Sequence, residues 1–358
     1  MKLGILTFHN AHNYGAVLQA YGMQEYLKRQ GHDAFVIDYR PDYINRCYPK
    51  DGSAFWKNSN MLECARGFYN YYVHSAIRHR RWDNFERFVS SRLALYPYQT
   101  GMDFHEFDAV FIGSDQVWSK AHTDGKYDSV YFGEGFKCKV IPYAPSCTTM
   151  VLSQEDKAFF KQHLDQMTAV SVREPQMKEV LQPLTKNEIS VVVDPSLLAG
   201  RECFDGIAAN IRAKRPYILI YEIIGHQEVY HAAKSLAKSL DADIVELVNG
   251  MRPYHRSTMR EDASPEEFLG YIKHASCVLT SSFHGTAFSL LFNTPFYTVL
   301  QGTAADNRMV SLLKSLDMMD RTIEIGEVPD KVIPTNKHSN DYNLIKQSEE
   351  FIEKALRG

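Results

Sequence analysis

The chain begins, at residues 2–41, with KLGILTFHNAHNYGAVLQAYGMQEYLKRQGHDAFVIDYRP. KLGILTF is an apolar run typical of a buried strand, and AVLQAYGMQEYLKRQG has the periodicity of a helix that ends at Gly31 after basic residues. DAFVIDYRP predicts a second strand, closed by Pro41. Strand, helix and strand form a βαβ unit, and such units build parallel sheets with right-handed crossovers. This beginning therefore predicts an α/β fold.

The same alternation continues along the chain in two consecutive series. The second series starts near residue 216 with PYILIYEI, after a join near 195–212. We therefore predict two Rossmann-like, doubly wound α/β domains, 1–200 and 201–358, with the last helix in the second domain. Residues 54–96 lack a strand signal and predict an aromatic-rich helical insertion in the first domain.

Composition excludes several classes of function. The 358 residues carry a formal net charge of −3, which gives no electrostatic reason to expect a nucleic-acid partner. The six cysteines lack metal-type spacing, so we expect a reduced protein without a metal site. No leader-like segment precedes the first strand and no apolar run reaches about 18 residues, so the expected location is the cytoplasm. Neither GxGxxG nor GxxxxGK(S/T) occurs, which argues against Rossmann dinucleotide and P-loop chemistry.

Ligands of open α/β sheets bind where strands end and helices begin, and four such loops carry suitable side chains. The first loop, HNAHNYG, has polar groups for a polyhydroxylated or anionic ligand and a glycine that permits close backbone approach. The alternative is helix capping beside solvent-exposed histidines. Because one cap needs only one residue, we predict a ligand role for His9, Asn10, His12, Asn13 and Gly15.

The second loop, GSDQVWS, places a carboxylate and an indole directly after an apolar strand. Sugar sites tend to combine a carboxylate with an aromatic face, which makes Asp115 and Trp118 candidates for sugar binding. The alternative is a turn-forming aspartate followed by a buried tryptophan.

The third and fourth loops carry a cation and an imidazole. Arg173 ends a short strand in SVRE, where it could clamp a carboxylate or phosphate, or simply pair with Glu174. In TSSFHGTAFSLL, a strand runs into His284 at a helix N-terminus beside serine hydroxyls. Gly285 allows a ligand to approach the backbone there, so this loop is suited to phosphate.

These segments occur together in an order that matches a known family. They are TFHNAHNYGAVLQAYGMQEYLKRQGHDAFVIDYRP, FDAVFIGSDQVW, YAPS, SVREPQMKEVL, VVDPSLL and TSSFHGTAFSLLFNTPF, and the likeness extends from residue 2 to about residue 320. The chain thus resembles the polysaccharide pyruvyl transferase family. The resemblance implies a fold similar to the GT-B glycosyltransferases, with two domains facing each other across a cleft. It also implies a reaction in which phosphoenolpyruvate (PEP) gives its enolpyruvyl carbon to two hydroxyls of one sugar, forming a cyclic pyruvate ketal and phosphate.

The resemblance also assigns residues to PEP. In the family, an Arg-x-His and a further Arg bind PEP; His284 matches the histidine, and we assign Arg173 to the further arginine. Ser282 stands where the family has its other arginine. Because PEP is a tri-anion near neutral pH, we predict that Arg308, in the loop QGTAADNRM, supplies the missing charge. Ser282 and Gly285 are expected beside PEP, with His284 as phosphate contact and general acid.

The other side of the cleft is expected to hold the acceptor sugar. Asp115, His9 or His12 would orient or deprotonate it, and the acceptor site is completed by Asn10, Asn13, Gly15 and Trp118. We expect no cofactor and no metal. The expected partner is a free or lipid-linked sugar, and the aromatic segment 55–98 is a candidate for peripheral membrane contact, with burial in the core as the alternative.

Two other functions remain open at this stage. A nucleotide-sugar glycosyltransferase on the same fold would bind diphosphate with His284 and Arg173. A non-catalytic sugar-binding protein would have kept the cleft and lost turnover, and Ser282 in place of the family arginine keeps this reading open.

Overall fold

The computed structural model describes residues 1–48, 50, 61–147, 151–223, 225–248, 257–335 and 339–358, with the backbone alone for 61–74 and 339–342. The first sheet has the order β3-β2-β1-β4-β5, with every neighbouring pair parallel. Its strands are β1 (Lys2–Leu6), β2 (Asp33–Asp38), β3 (Leu95–Pro97), β4 (Ala109–Ile112) and β5 (Lys139–Pro142). In the central register, Leu3 lies between Ala34 and Ala109. A separate parallel pair follows, β6 (Val170–Val172) and β7 (Ile189–Val191).

The second sheet has the order β10-β9-β8-β11-β12-β13 and is also parallel throughout. Its strands are β8 (Tyr217–Glu222), β9 (Asp243–Val248), β10 (Met259–Arg260), β11 (Cys277–Thr280), β12 (Phe296–Leu300) and β13 (Thr322–Glu324). In both sheets the strand order reverses direction at an inner strand, as in doubly wound folds. The predicted fold class, two parallel α/β units in succession, is confirmed.

Eleven α-helices connect or flank the strands in the described part of the chain. They are α1 (Tyr14–Arg29), α2 (Asp42–Cys47), α3 (Met61–Arg92), α4 (Gln154–Leu164), α5 (Pro175–Leu181), α6 (Pro195–Asp205), α7 (Gln227–Ser239), α8 (Pro265–His274), α9 (Phe283–Phe292), α10 (Asp306–Ser315) and α11 (Ser339–Arg357). Most of the described part of the predicted helical insertion is α3, but its last two residues begin β3, which pairs with β2 and was not predicted. The part of the aromatic segment at 55–60 lies outside the described residues. None of the described helices combines the length and apolarity needed to cross a bilayer.

One hydrophobic core joins the two halves of the chain. It includes Leu3 of the first sheet, Val17 of α1 and Leu219 of the second sheet, all fully buried. At the start of α1, Tyr14 stacks on Phe268 of α8 with ring centroids 4.5 Å apart, and its hydroxyl donates to a backbone carbonyl of the second half. Helix α1 therefore serves as core for both halves.

The last helix, α11, packs against the first half. The Ser348 hydroxyl accepts a hydrogen bond from Val193 N at 2.9 Å, and Lys139 Nζ donates to Leu356 O at 2.9 Å. The sequence had placed this helix in the second domain. The apolar face of α11 explains why it lies there: Phe351 and Ile352 are buried in the core that the two halves share.

Helix α3 holds the two halves together from another side. The Arg81 guanidinium donates to the Tyr14 hydroxyl at 2.9 Å, to His12 O at 3.1 Å and to Glu261 O at 3.2 Å. The preceding residue of the helix, Arg80, pairs through Nε with Asp262 at 2.7 Å, but its side chain is 58% exposed.

Replacing Arg81 with Met should lower the free energy of unfolding by about 2–3 kcal/mol, because it removes several partly buried hydrogen bonds from a charged donor. Arg80→Met is the matched control and should change it by less than about 1 kcal/mol, since its ion pair is exposed. Urea unfolding at neutral pH measures both. Equal losses for the two variants would contradict the larger contribution that we assign to Arg81 among the contacts of α3 with the second half.

Candidate functional site

Three helix N-termini meet between the two halves. Asn13 Oδ1 caps α1 by accepting from Gly15 N at 2.9 Å, and Asp194 Oδ1 caps α6 by accepting from Ser196 N at 2.9 Å. Ser282 Oγ accepts from Gly285 N at 3.4 Å at the start of α9. Each cap follows a strand end, so the chain turns from strand to helix at one shared region.

Contacts between side chains show that the three ends converge. A Cβ built on Gly15 would lie 1.9 Å from Nδ1 of His284, so the imidazole rests directly on the first turn of α1. On the other side, His284 Nε2 lies 3.7 Å from Asp194 Oδ2. Helix N-termini carry partial positive charge, and three of them at one point favour an anionic ligand.

Asp194 is the buried centre of this region. Its Oδ2 accepts from Ser114 Oγ at 2.9 Å and from Arg173 Nη1 at 2.8 Å, and its Oδ1 accepts from Ser196 Oγ at 2.7 Å. Burial acts to raise the pKa of this carboxyl, but the neighbouring His284 and Arg173 and the bond from Ser196 hold it well below its usual range. Asp194 is therefore ionised throughout the neutral pH range.

Arg173 lies between two carboxylates, as one of the two sequence-based readings anticipated. Its Nε donates to Glu174 Oε1 at 2.9 Å while Nη1 is bound to Asp194. The guanidinium carbon lies 4.3 Å from the centroid of the Phe283 ring. Although burial acts to lower it, the charges of Glu174 and Asp194 raise the pKa of Arg173. Its Nη2 is buried and has no hydrogen-bond partner among the described residues.

Arg308 lies within helix α10, whereas the sequence placed it in a loop. The loop prediction was wrong, because the helix already begins at Asp306. Asp306 Oδ2 accepts hydrogen bonds from Gln301 N and Thr303 N, and these bonds fix the turn that precedes the helix. Burial and the nearby charge of Arg173 lower the pKa of Arg308. A cavity of about 110 Å³, several times the roughly 10–15 Å³ that one water needs, adjoins both arginines and Asp194.

Several buried donors at this junction have no partner in the described part of the chain. They are Arg173 Nη2, Arg308 Nε, His284 Nε2 and Ser281 Oγ. A buried polar group without a hydrogen bond is unfavourable by about 1–3 kcal/mol, more when it is charged. An anion that accepted from any of these donors would remove that cost.

The two histidines of the opening loop are bound to carboxylates. His9 Nε2 lies 2.8 Å from Asp38 Oδ1, and His12 Nε2 lies 3.1 Å from Glu86 Oε1. Arg40 joins the two carboxylates through bonds of 2.6 and 3.1 Å. Burial acts to raise the pKa of Asp38, but the hydrogen bonds from His9 and Arg40 outweigh it and lower this pKa to about 2. Both rings are buried rather than solvent-exposed, so this side of the site is built by an ion-pair network.

The remaining candidates of the first half differ in accessibility. Trp118 is fully buried, donates from Nε1 to Tyr131 O at 2.9 Å and stacks on Phe132, so no ring face is open to a sugar in this structure. Asp115 is partly exposed with a left-handed backbone φ of 66°, and its charge acts on both Arg173 and Arg308. Asn10 donates to Asn45 Oδ1 at 3.0 Å, while its own Oδ1 is buried without a partner among the described residues.

Sequence reasoning missed Asp194 as a site residue. The signal was present in VVVDPSLL, because an aspartate before Pro-Ser at the end of an apolar strand is the pattern of an N-cap followed by proline in the first turn. The pattern does not show that the same carboxylate binds Arg173. That contact joins positions 21 residues apart and requires the fold.

The fold and the site together define an α/β protein in which arginine and histidine side chains lie beside buried carboxylates at the helix N-termini between its two halves. The chain belongs to the polysaccharide pyruvyl transferase family, whose sequence model matches residues 13–301. This confirms the resemblance found in the sequence and places the protein among transferases. No curated protein sequence matches the chain at a significant level.

Several solved structures are similar in overall shape at low identity. The UDP-GlcNAc 2-epimerase from Methanocaldococcus jannaschii has 11% identity and a TM-score of 0.47, with 100% of this chain and 93% of that chain covered. The enzyme of that name from Neisseria meningitidis, bound to UDP-GlcNAc, has 12% identity and a TM-score of 0.48, with both chains covered in full. The glycosyltransferase SnogD from Streptomyces nogalater has 11% identity and a TM-score of 0.41, with 99% and 94% covered.

Replacing Asp194 with Asn should lower the free energy of unfolding by about 3 kcal/mol at pH 7, because breaking a buried ion pair leaves Arg173 short of compensating charge. The pKa of Asp194 is depressed in the folded state, so its contribution is complete above about pH 4, the unfolded value, and is lost as the pH falls further. Urea unfolding from pH 3 to pH 8 measures the difference between variant and wild type. The control is Asp243→Asn, which removes the carboxylate of the ion pair with Arg215. Because the Asp243 side chain is 53% exposed, this variant should change the free energy of unfolding by less than about 1 kcal/mol.

Proposed function

We propose that the protein transfers the pyruvyl group of PEP to a sugar of a polysaccharide or its precursor, forming a cyclic pyruvate ketal and releasing phosphate. The observation that carries this proposal is the group of buried, unpaired donors on Arg173, His284 and Arg308. PEP carries a carboxylate and a phosphate close together, so one small molecule can accept from all three side chains.

The two arginines are suited to different parts of the anion. Arg173 is fixed by Asp194 and Glu174, which leaves a rigid Nη2 donor directed by two ion pairs. Arg308 takes part in no ion pair among the described residues. The nearby charge of Arg173 disfavours the protonated form of Arg308 and so acts to lower its pKa. A bound anion would relieve that repulsion, so Arg308 supplies the charge that Ser282 does not. The backbone N–H groups of Ser282 and Gly285 already donate to Thr280 Oγ1 and Ser282 Oγ, and a Cβ on Gly285 would lie 2.2 Å from Thr280 Oγ1. In our proposal these two residues therefore shape the start of α9 and do not contact PEP, unlike in the sequence-based expectation.

His284 is our candidate for the general acid. An imidazole exchanges protons near neutral pH, and Nε2 is the ring atom without a partner in the described part of the structure. In the reaction, C3 of PEP gains one proton, C2 forms bonds to two sugar oxygens and the C2–O bond to phosphate breaks. The two hydroxyls lose two protons, of which one balances the proton at C3 and the other leaves with phosphate or solvent.

Asp115 is our candidate for the base on the acceptor side. His9 and His12 are held by Asp38 and Glu86, so their roles in our proposal are to shape that side rather than to take a proton. Asp115 is partly exposed and close enough to affect Arg173 electrostatically. The unpaired Oδ1 of Asn10 offers an acceptor to a sugar hydroxyl.

We further propose that the reaction needs neither cofactor nor metal and takes place in the cytoplasm on a free or lipid-linked sugar. The direct test incubates the protein with PEP or with UDP-sugars, in the presence of EDTA, and follows phosphate release by ³¹P NMR with a panel of saccharide acceptors. Ketal formation from PEP supports the proposal. Product from a UDP-sugar alone would instead identify a glycosyltransferase, and PEP binding without turnover would identify a binding protein.

Arg308→Gln should weaken PEP binding 10- to 100-fold, because a charge-assisted hydrogen bond contributes about 1.5–3 kcal/mol. Its stability should not fall, since the variant removes the repulsion from Arg173. Isothermal titration calorimetry measures the affinity and urea unfolding the stability. Arg201→Gln removes an exposed arginine paired with Asp205 and should leave PEP binding unchanged. Unaltered affinity in Arg308→Gln would exclude Arg308 from the site.

A further inference from the structure

The two halves touch at the site where Gly15 contacts His284. The three atoms nearest to a Cβ at position 15 are all in the imidazole ring, Nδ1 at 1.9 Å, Cγ at 2.3 Å and Cε1 at 2.5 Å. A carbon at these distances would overlap the ring itself rather than a flexible tip. Any side chain at position 15 must therefore displace His284 or separate the halves.

The ring is limited on its other side as well. His284 Nε2 lies 3.7 Å from Asp194 Oδ2, and Asp194 is held by Ser114, Arg173 and Ser196. The His284 side chain is 7% exposed. The imidazole thus lies between a bare Cα of the first half and a fixed carboxylate, and rotation toward either is blocked.

We propose that Gly15 is a positioning residue for His284: the surface of its Cα sets the ring orientation that leaves Nε2 unpaired beside Asp194. The part of this inference that concerns PEP depends on the function proposed above, while the contact itself does not. It assigns to Gly15 a different role from acceptor binding. It also makes the first turn of α1, in one half, a determinant of the reacting geometry in the other.

The contact is tested by a double-mutant cycle of Gly15→Ala and His284→Ala. Gly15→Ala should lower the urea midpoint in the wild-type background and have little effect in the His284→Ala background, where the ring is missing and the new methyl group fits. The control is Gly270→Ala in α8, where a Cβ would meet Ala209 O at 2.2 Å. Its loss of stability should be the same in both backgrounds, because its clash is with backbone remote from position 284.

Two further measurements separate positioning from stability alone. The imidazole signals of His284, assigned by their loss in His284→Ala, should shift in ¹⁵N NMR spectra of Gly15→Ala and stay in place in Gly270→Ala. With PEP and acceptor, Gly15→Ala should lower kcat/KM about 100-fold, as expected for a displacement near 1 Å, and should have no added effect on His284→Ala. Gly270→Ala should retain wild-type kcat/KM.

The outcomes distinguish the two proposals. A wild-type protein that neither binds nor turns over PEP contradicts the proposed function, yet the stability cycle and the NMR shift still decide whether Gly15 positions His284. Equal stability losses in both backgrounds, or unchanged His284 signals in Gly15→Ala, would overturn the positioning role whatever PEP does.

Discussion

The junction between the two halves depends on the buried carboxylate of Asp194, which compensates the charge of Arg173. Its two oxygens accept hydrogen bonds from Ser114, Arg173 and Ser196, which come from three separate segments of the chain. A charge removed from water is tolerated only when partners satisfy it, so these segments cannot move independently. Because His284 lies within 4 Å of the same carboxylate, the constraint extends from the first half into the second.

The positive and negative charges at the junction are unevenly paired. Arg173 has two carboxylate partners, whereas Arg308 forms no ion pair within the described ranges. The N-termini of α1, α6 and α9 add their partial charges at the same place, although Asp194 offsets that of α6. The buried donors of Arg173 and Arg308 that lack hydrogen-bond partners are unfavourable in this state. The low polarizability of buried surroundings would strengthen their interaction with a bound anion.

The sequence was informative wherever a signal is local. Alternating apolar and helical segments predicted both sheets. The strand-to-helix loops drew attention to Arg173 and His284, which the structure brings to the same carboxylate, Asp194. Trp118 could not be assigned, because an indole after a strand fits a buried or an open position equally well. The position of α11 was not predictable, since an amphipathic helix specifies an apolar face but not the surface that covers it.

Contacts between residues far apart in the sequence could not be predicted from it. HNAHNYG and FHG were interpreted as opposite walls of a cleft, yet Gly15 and His284 are in direct contact. Nothing in either segment encodes that distance, because it results from how α1 packs on α6 and α9. The same holds for Arg81, whose place in a run of basic residues gave no hint of its bonds to Tyr14 and Glu261.

Because α11 packs against the first half, the folded unit does not end where the sequence similarity to the family ends. The family model ends at residue 301, but Ser348, Phe351 and Ile352 lie in or against the core that β1 and α1 share with the second sheet. A fragment cut at the end of the similarity would expose apolar surface in the half of the molecule most distant in sequence from the cut. The last helix of the chain thus covers the first half at β5 and at the segment that follows β7.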